Sequence, residues 1–205
     1  MHAAGTQVLD GANTYSGTST ISGGTLQIGS GGSSGQIGSG TITNNAELKI
    51  NRSGTVTLSQ AITGSGVLTQ AGSSTTILTG NNTYSGGTTI SSGTVRVGDG
   101  GLNGSVGGGA ISNDGTLEIK RSNSVALSQA ITGSGSLAQT GTGDTTLSGN
   151  ANTYSGSTIV SSGTLLVTNT SPTSSATGSS SVTIENGARL AGTGRISGDV
   201  TFQSG

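Results

Sequence analysis

A five-residue block, Asn-Thr-Tyr-Ser-Gly, occurs three times in this chain and contains all of its tyrosines. The tyrosines of the first two copies differ by 69 in residue number, and those of the last two differ by 70. A period this long, kept over 205 residues, indicates stacked structural units rather than a globular enzyme. We therefore interpret the block as a structural marker of the repeat. The marker residues are Tyr15, Tyr84 and Tyr154 with Gly17, Gly86 and Gly156.

The repeat extends well beyond the block. Residues 58–66 recur without change at 127–135, and residues 42–50 recur with substitutions at 111–119, both at an offset of 69. The sequence therefore predicts a single domain over 1–205, built of about three repeats. Their approximate bounds are 13–81, 82–151 and 152–205.

Short segments within each repeat alternate apolar and polar residues, which is the pattern of half-buried strands. Matching apolar residues recur at offsets of 20 to 22, and Gly-, Ser- and Asn-rich turns separate the segments. This predicts an all-β parallel β-helix of roughly nine coils, three to each repeat. A β-sandwich is the competing fold, but it does not predict the offset of 69. Residues 168–180 show no alternation and are predicted to form a loop. The matching residues that set the coil length are Leu26, Leu48, Leu68 and Ile90.

Composition narrows the choice of class. The chain has 40 Gly, 35 Ser and 34 Thr, which raises the alternative of a disordered chain. Its net charge of -1 and its patterned apolar residues argue against disorder. A pI near 5.6 indicates no nucleic-acid partner, and the absence of cysteine excludes disulfides. Repeat-like sequence follows Met1 and His2 at once, which predicts a piece of a longer protein.

Two motifs resemble those of hydrolases. Residues 31–35 fit Gly-x-Ser-x-Gly, but such a serine needs a base, and the only histidine is His2. Paired carboxylates could cleave glycosides if they lay about 5–9.5 Å apart in a cleft. We expect the carboxylates to be solvated instead, since the chain has no Trp and one Phe. The candidate carboxylates are Glu47, Asp114, Glu118 and Asp144.

Cofactors are not expected either. Residues 141–144 resemble one unit of a calcium-binding repeat, but the unit occurs once, and such sites need adjacent copies. Arg52 and Arg121 occupy matching positions in successive repeats and are expected to be solvated surface residues. The sequence therefore predicts no catalytic, cofactor-binding or metal-binding residue.

Residues 82–98 closely resemble the passenger-associated transport repeat of bacterial autotransporters, as do residues 13–29 and 152–167. Residues 181–200 are similar to the last coils of such passengers. The resemblance implies a right-handed β-helix that is exported by type V secretion to the bacterial cell surface. It also implies a C-terminal outer-membrane β-barrel in the parent protein.

We therefore predict a structural and adhesive passenger stalk that assists secretion and has no enzymatic activity. Its expected partners are a second copy of the chain, or a glycan or protein on a host or cell surface. Two alternatives stay open. The chain could be the scaffold of a polysaccharide-degrading or esterase passenger, or a surface filament protein that assembles end to end through unpaired edges.

Overall fold

The computed structural model describes residues 5–203, and within that range it contains β-strands and no helix. The strands are two to four residues long, with Gly-, Ser- and Asn-rich turns between them. In chain order they are β1 (Thr6–Leu9), β2 (Ser19–Ile21), β3 (Thr25–Ile28), β4 (Ile42–Asn44), β5 (Glu47–Ile50), β6 (Thr55–Leu58), β7 (Ile62–Thr63), β8 (Val67–Gln70), β9 (Thr75–Leu78), β10 (Thr88–Ile90), β11 (Thr94–Val97), β12 (Ile111–Asn113), β13 (Thr116–Ile119), β14 (Val125–Leu127), β15 (Ile131–Thr132), β16 (Ser136–Gln139), β17 (Asp144–Leu147), β18 (Thr158–Val160), β19 (Thr164–Val167), β20 (Val182–Ile184), β21 (Arg189–Gly192) and β22 (Val200–Phe202).

All pairings between these strands are parallel and join one coil to the next, so the chain winds as a solenoid of about ten coils. The predicted parallel β-helix is confirmed, with about one coil more than expected. At the usual strand spacing the rod is about 45–50 Å long. We number the sheets 1 (β2-β4-β7), 2 (β1-β3-β5-β8-β10-β12-β15), 3 (β6-β9-β11-β13-β16-β18-β20-β22) and 4 (β14-β17-β19-β21).

Inward residues stack in columns along the axis. Leu48 pairs in register with Leu26 below and Leu68 above, and Leu48 and Leu68 are fully buried. The polar neighbours Glu47 and Lys49 point outward and are partly exposed. Each fully buried leucine stabilises the fold by about 1.5–3 kcal/mol relative to an exposed one. A single coil has no such column, so the core exists only because coils stack.

One strand register predicted from the sequence is wrong by two residues. The matching of apolar residues placed Ile90, at an offset of 22, above Leu68, but Thr88 pairs with Leu68 and Ile90 pairs with Gln70. The step from Leu68 to its partner is therefore 20 in residue number rather than 22. Because side chains on a strand alternate with a period of two, both Thr88 and Ile90 still point inward, and both are buried.

The repeat does not equal a whole number of coils. Gln7 and Leu68 lie three coils apart in the same sheet and differ by 61 in residue number, whereas the repeat offset is 69. Each repeat is therefore longer than three coils, and the extra residues shift the equivalent strand of the next repeat into the neighbouring sheet. Although three coils to each repeat were predicted, the block does not recur at the same corner of every third coil, and successive repeats face different sides of the rod. The strands of sheet 1 recur in sheet 2, those of sheet 2 in sheet 3, and those of sheet 3 in sheet 4, as in β4 to β12, β5 to β13 and β6 to β14.

The segment 168–180 contains no strand. Offsets of 69 and 70 align its start with residues 29–35 and 98–104, which also lie outside the strands. A loop at this place is thus a feature of every repeat rather than of the last one alone. Within residues 5–203, no helix could cross a membrane.

Candidate functional site: the tyrosine block

In each copy of the block, the tyrosine hydroxyl is hydrogen-bonded to a residue four positions ahead, and in the second and third copies the ring lies between two coils. The partner is a serine or threonine at the start of the next strand. A buried phenol needs such a partner, because an unpaired hydroxyl inside the core costs free energy. The bonds are Tyr15 to Ser19 (2.8 Å), Tyr84 to Thr88 (2.7 Å) and Tyr154 to Thr158 (2.7 Å).

Glycines cover the tyrosines from the following coil. A Cβ atom on Gly107 would lie 2.5 Å from Cδ2 of Tyr84, which is far inside contact distance. Gly38 covers Tyr15 in the same way, at 2.5 Å from its Cδ2. Gly178 lies against the backbone oxygen and ring of Tyr154. Only glycine allows the next coil to approach the ring this closely.

The glycine that ends each block lies against the preceding coil. A Cβ on Gly86 would meet the carbonyl oxygen of Ser65 at 2.5 Å, and one on Gly156 would meet the carbonyl carbon of Gly135 at 2.5 Å. A Cβ on Gly17 would have no atom within 4 Å, because Gly17 belongs to the first coil. The block glycines therefore set the distance to the coil below wherever such a coil is described.

Position along the rod decides how deeply the rings are buried. Tyr84 and Tyr154 are 0 % exposed, whereas Tyr15 is 41 % exposed. All three have the covering glycine and the hydroxyl bond. Tyr15 differs because it lies in the first coil described, where no coil covers its other side. The three copies thus offer a buried and a half-exposed version of one motif.

In the second and third copies, the asparagine that opens the block joins three coils. Oδ1 of Asn82 accepts a hydrogen bond from Ile62 N (2.8 Å) in the coil below, and Nδ2 donates to Ser105 O (2.7 Å) in the coil above. Asn152 makes the same pair of bonds, from Ile131 N (2.8 Å) and to Ala176 O (2.7 Å). An amide suits this position because it is donor and acceptor at once.

These asparagines lie where a sheet ends. Ile62 and Ile131 belong to β7 and β15, the last strands of sheets 1 and 2. The next coil supplies no strand above them, so the asparagine side chain accepts the bond from their backbone N–H instead. The block therefore terminates one sheet while keeping the backbone donors paired, which explains how strands pass from sheet to sheet.

The matching arginines are not the solvated residues that the sequence predicted. Nη1 of Arg121 donates to Gly104 O (2.8 Å) and Nη2 donates to Leu102 O (2.5 Å), both in the loop at 98–104 one coil below. Arg52 donates to the equivalent carbonyls, of Gly35 and Ser33. Burial of this kind lowers the pKa of the Arg121 guanidinium. The arginines hold the loops, because a planar fork can reach two carbonyls at once.

We expect Arg121→Lys to loosen the loop at 98–104. Lysine keeps the charge but cannot span both carbonyls, so about 1–2 kcal/mol of local stability should be lost. Amide hydrogen exchange of residues 99–105 measures this directly. Arg195→Lys is the matched control. The Arg195 guanidinium makes a single exposed hydrogen bond to the loop at 168–180, of 3.2 Å to Pro172 O. Equal protection of these amides from exchange in the Arg121 variant and the wild type would contradict the proposed role of Arg121 in holding the loop.

Alkaline pH should unfold the chain through the two buried tyrosines. Burial raises the pKa of Tyr84 and Tyr154, with a partial offset from their hydroxyl bonds. A raised folded pKa means that stability is complete below the unfolded value of about 10 and falls as pH rises above it. Each tyrosine then contributes a loss of about 1.4 kcal/mol per pH unit. Circular dichroism and tyrosinate absorbance should change together above about pH 10, and ionisation of all three tyrosines without unfolding would contradict the burial.

The candidate hydrolase motif has no catalytic surroundings within the described residues. Ser33 lies in an exposed loop, and its carbonyl accepts a bond from Arg52. His2 is the one histidine of the sequence and the candidate base for this serine, and it lies outside the described residues. Of the segment 141–144, residues 141–143 form a turn and Asp144 begins β17; the carbonyls of Gly141 and Gly143 accept bonds from buried Gln139 (2.8 and 2.9 Å). Within residues 5–203, no group of three His, Cys, Asp or Glu side chains gathers as a metal site.

The four candidate carboxylates lie in different parts of the solenoid. Glu47 lies on β5 in sheet 2, Glu118 on β13 in sheet 3 and Asp144 on β17 in sheet 4, while Asp114 lies in a turn. Asp114 accepts bonds from the backbone N and Oγ of Ser134 (2.8 and 2.9 Å), which lower its pKa. The structure therefore does not assemble them as one acid–base pair.

Two of these carboxylates join coils on the outer faces. Glu47 accepts hydrogen bonds from Thr25 below and Thr69 above, each of 2.7 Å, and the Thr25 bond is the main cause of its lowered pKa. Glu118 pairs with Arg96 below (2.7 Å) and accepts a bond from Thr140 above (2.7 Å). These acidic side chains serve as links between coils rather than as isolated solvated groups.

Sequence reasoning missed three kinds of residue. The covering glycines, the asparagines that join coils and the arginines that hold the loops were not singled out for those roles. A signal for the glycines was present, because Gly38, Gly107 and Gly178 follow their tyrosines at offsets of 23, 23 and 24. That spacing exceeds one coil only slightly, so the glycine falls over the ring.

A protein-family model described as passenger-associated-transport-repeat matches residues 4–28, 68–97 and 137–167. The ends of the three matches are spaced by 69 and 70, as the tyrosines are. No curated protein and no solved structure matched the chain. The chain therefore carries three passenger-associated-transport-repeats, and a tyrosine block lies inside each of them.

Proposed function

We propose that this chain is a rigid, non-catalytic stalk in the passenger of an autotransporter, which assists export and holds attached parts away from the bacterial surface. The observation that carries the proposal is that three transport repeats build one continuous solenoid. The parent protein would be secreted across the outer membrane through a C-terminal β-barrel, as the repeat type suggests.

Rigidity follows from the bonding between coils. Parallel ladders run along every sheet, and buried side chains such as Asn82 bond to the coils on both sides. Bending the rod would stretch these bonds on one side and crowd the covering glycines on the other. A closely packed solenoid resists both changes, which suits a spacer.

Assistance in export is supported by the same geometry. Each coil adds a small apolar column and a ladder of hydrogen bonds to the coils already present, so folding can advance by coil. A chain that folds in this way outside the membrane would resist sliding back. We infer that the tyrosine block contributes because it closes one sheet while the next sheet grows.

The repeated features favour a stalk over a multivalent adhesive face. Successive repeats are displaced by three coils and one side, so equivalent loops do not line up along the rod. A flat partner could therefore contact one copy at a time and would gain little avidity from repetition. We propose that contacts with a glycan, a surface protein or a second copy of the chain depend on residues outside the repeated motif.

Surface display tests the proposal directly. The chain would be placed in its parent passenger, and exposure at the cell surface would be measured by antibody labelling of intact cells. The double variant Asn82→Ala with Tyr84→Ala should be displayed several-fold less than the wild type. The matched control, Asn13→Ala with Tyr15→Ala, changes the same residue types in the first coil and should be displayed nearly normally. Equal display of all three chains would show that coil stacking is not needed for export.

Enzymatic activity is tested separately on purified protein. We expect no turnover on a panel of esters and glycans, because the motifs considered above have no base or carboxylate pair beside them within residues 5–203. Hydrolysis that persists in Ser33→Ala would indicate a different site, and hydrolysis abolished by Ser33→Ala would establish the serine motif. Either result would replace the non-catalytic half of the proposal.

A further inference from the structure

Two Asn-Gly pairs occur in the chain, Asn103-Gly104 and Asn186-Gly187. Both asparagines are exposed, but the fold buries Gly104 and leaves Gly187 exposed. Asparagine is a thermolabile residue. It is most reactive before glycine, because the next backbone nitrogen can reach the side-chain carbonyl when no Cβ obstructs it. Sequence alone would treat the two pairs as nearly equivalent.

The pair at Asn186 is free to rearrange. Both Asn186 and Gly187 are exposed, and a Cβ on Gly187 would have no atom within 4 Å. The pair forms the centre of a turn closed by a bond from Ala188 N to Glu185 O (3.0 Å), with φ of +83° at Gly187. These are the features of a type II turn on the surface, where little resists rotation of the central peptide.

The pair at Asn103 is held. Gly104 is buried, and a Cβ on it would lie 2.7 Å from Gly98 N and closer still to Leu78 O. Its carbonyl accepts the 2.8 Å bond from Arg121. The peptide after Asn103 would have to leave this packing before its nitrogen could reach the side chain.

We propose that Asn186 is a site of spontaneous deamidation and that the fold suppresses the same reaction at Asn103. The backbone nitrogen of Gly187 attacks Cγ of Asn186, a C–N bond forms, and the side-chain amide leaves as ammonia to give a cyclic imide. Water then opens the imide at one of its two carbonyls, yielding aspartate or isoaspartate. No oxidant, metal or other reactant is required.

The modification would act on the last coils. The turn leads directly into β21, where Arg189 N donates to Gly163 O (2.9 Å) and Leu190 pairs with Leu165. Isoaspartate adds one carbon to the backbone and places a new carboxylate in the turn, next to Glu185 in the sequence. The start of β21 would then no longer meet β19 in register. Ageing of the chain would thus loosen this coil first.

Peptide mapping by mass spectrometry tests the proposal. The folded protein and a sample unfolded in urea would be incubated side by side in mildly alkaline buffer, and product at each site would be followed in time. In the folded protein Asn103 should react at least about tenfold more slowly than Asn186, since freeing a buried hydrogen-bonded carbonyl costs about a factor of ten. In urea the two rates should approach each other. The same ratio in both samples, or faster reaction at Asn103 in the folded protein, would overturn the proposal.

Two variants check the assignment. Asn186→Gln removes the reactive side chain and should abolish product at that site without changing Asn103. Arg121→Lys weakens the hold on Gly104 and should raise the rate at Asn103 several-fold while leaving Asn186 unchanged. An unchanged rate at Asn103 in Arg121→Lys, together with equal rates at the two sites in the wild type, would show that the fold does not control the reaction.

Discussion

Tyr84→Ala should destabilise the surrounding coils by about 3–5 kcal/mol, the range for removing a large aromatic side chain from a packed core. The ring is fully buried between coils, and the glycine that covers it cannot fill the space left behind. Thr88 would also lose the partner of its 2.7 Å hydrogen bond. We expect the coils near residues 62–110 to open before the rest of the rod.

Tyr15→Ala is the matched control for this prediction. It removes the same ring with the same type of covering glycine and hydroxyl bond, but the ring is 41 % exposed. Its removal should cost clearly less, because part of the ring is already in water. Tyr84→Phe separates packing from hydrogen bonding and should cost about 0.5–1.5 kcal/mol.

The measurement needs both a global and a local probe. Solenoids can unfold in parts, so a denaturant midpoint alone does not give one well-defined free energy. Amide hydrogen exchange adds the position of the loss. If Tyr84→Ala and Tyr15→Ala shifted the midpoint equally and loosened no particular coil, the block would not be a packing element.

The fold could be predicted because two signals agreed. The long repeat indicated stacked units, and alternation in segments such as Glu47–Ile50 identified which side chains point inward. Both signals are local or periodic, and the contacts between the coils of a solenoid recur at the period of the coil. The register was harder to predict. Both Thr88 and Ile90 can point inward, and only the length of the preceding turn decides which of them pairs with Leu68.

The relation between repeat and coil could not be obtained from spacing alone. A repeat offset of 69 divides into three coils of about 23 residues, and the apolar offsets of 20 to 22 are so close to this length that the difference was not recognised. The structure shows the difference as a move from one sheet to the next. The loops held by Arg52 and Arg121 were missed for a related reason. A side chain that bonds carbonyls leaves no complementary residue in the sequence, since every residue has a carbonyl.

The block asparagine lies where one sheet stops and the repeat moves to the next sheet. Within a sheet, a backbone N–H finds its acceptor in the next strand, and hydrophobic pattern is enough to predict that. At the end of a sheet the acceptor must come from elsewhere. In this chain a side chain supplies it for Ile62 and Ile131, and the repeat thereby keeps its backbone donors paired as its strands change sheet.

Asn82→Ala should therefore cost about 2–6 kcal/mol, although it removes only a small polar side chain. The change leaves the N–H of Ile62 and the carbonyl of Ser105 without their partners, and each unpaired buried group costs about 1–3 kcal/mol. Asn82→Asp should recover part of the loss, since it keeps the acceptor for Ile62 N but not the donor. Exchange of the Ile62 amide should accelerate strongly in the alanine variant and less in the aspartate variant.

Asn13→Ala provides the control, because Asn13 bonds upward to Gln36 O (2.7 Å) from the partly exposed first coil. We expect a loss of about 1 kcal/mol there, the value of one ordinary hydrogen bond. Asn152→Ala repeats the buried case and should match Asn82→Ala, with the effect centred on Ile131. If Asn13→Ala proved as costly as the two buried variants, the bond to the coil below would contribute nothing. The role of the block in ending a sheet would then have to be assigned to the tyrosine alone.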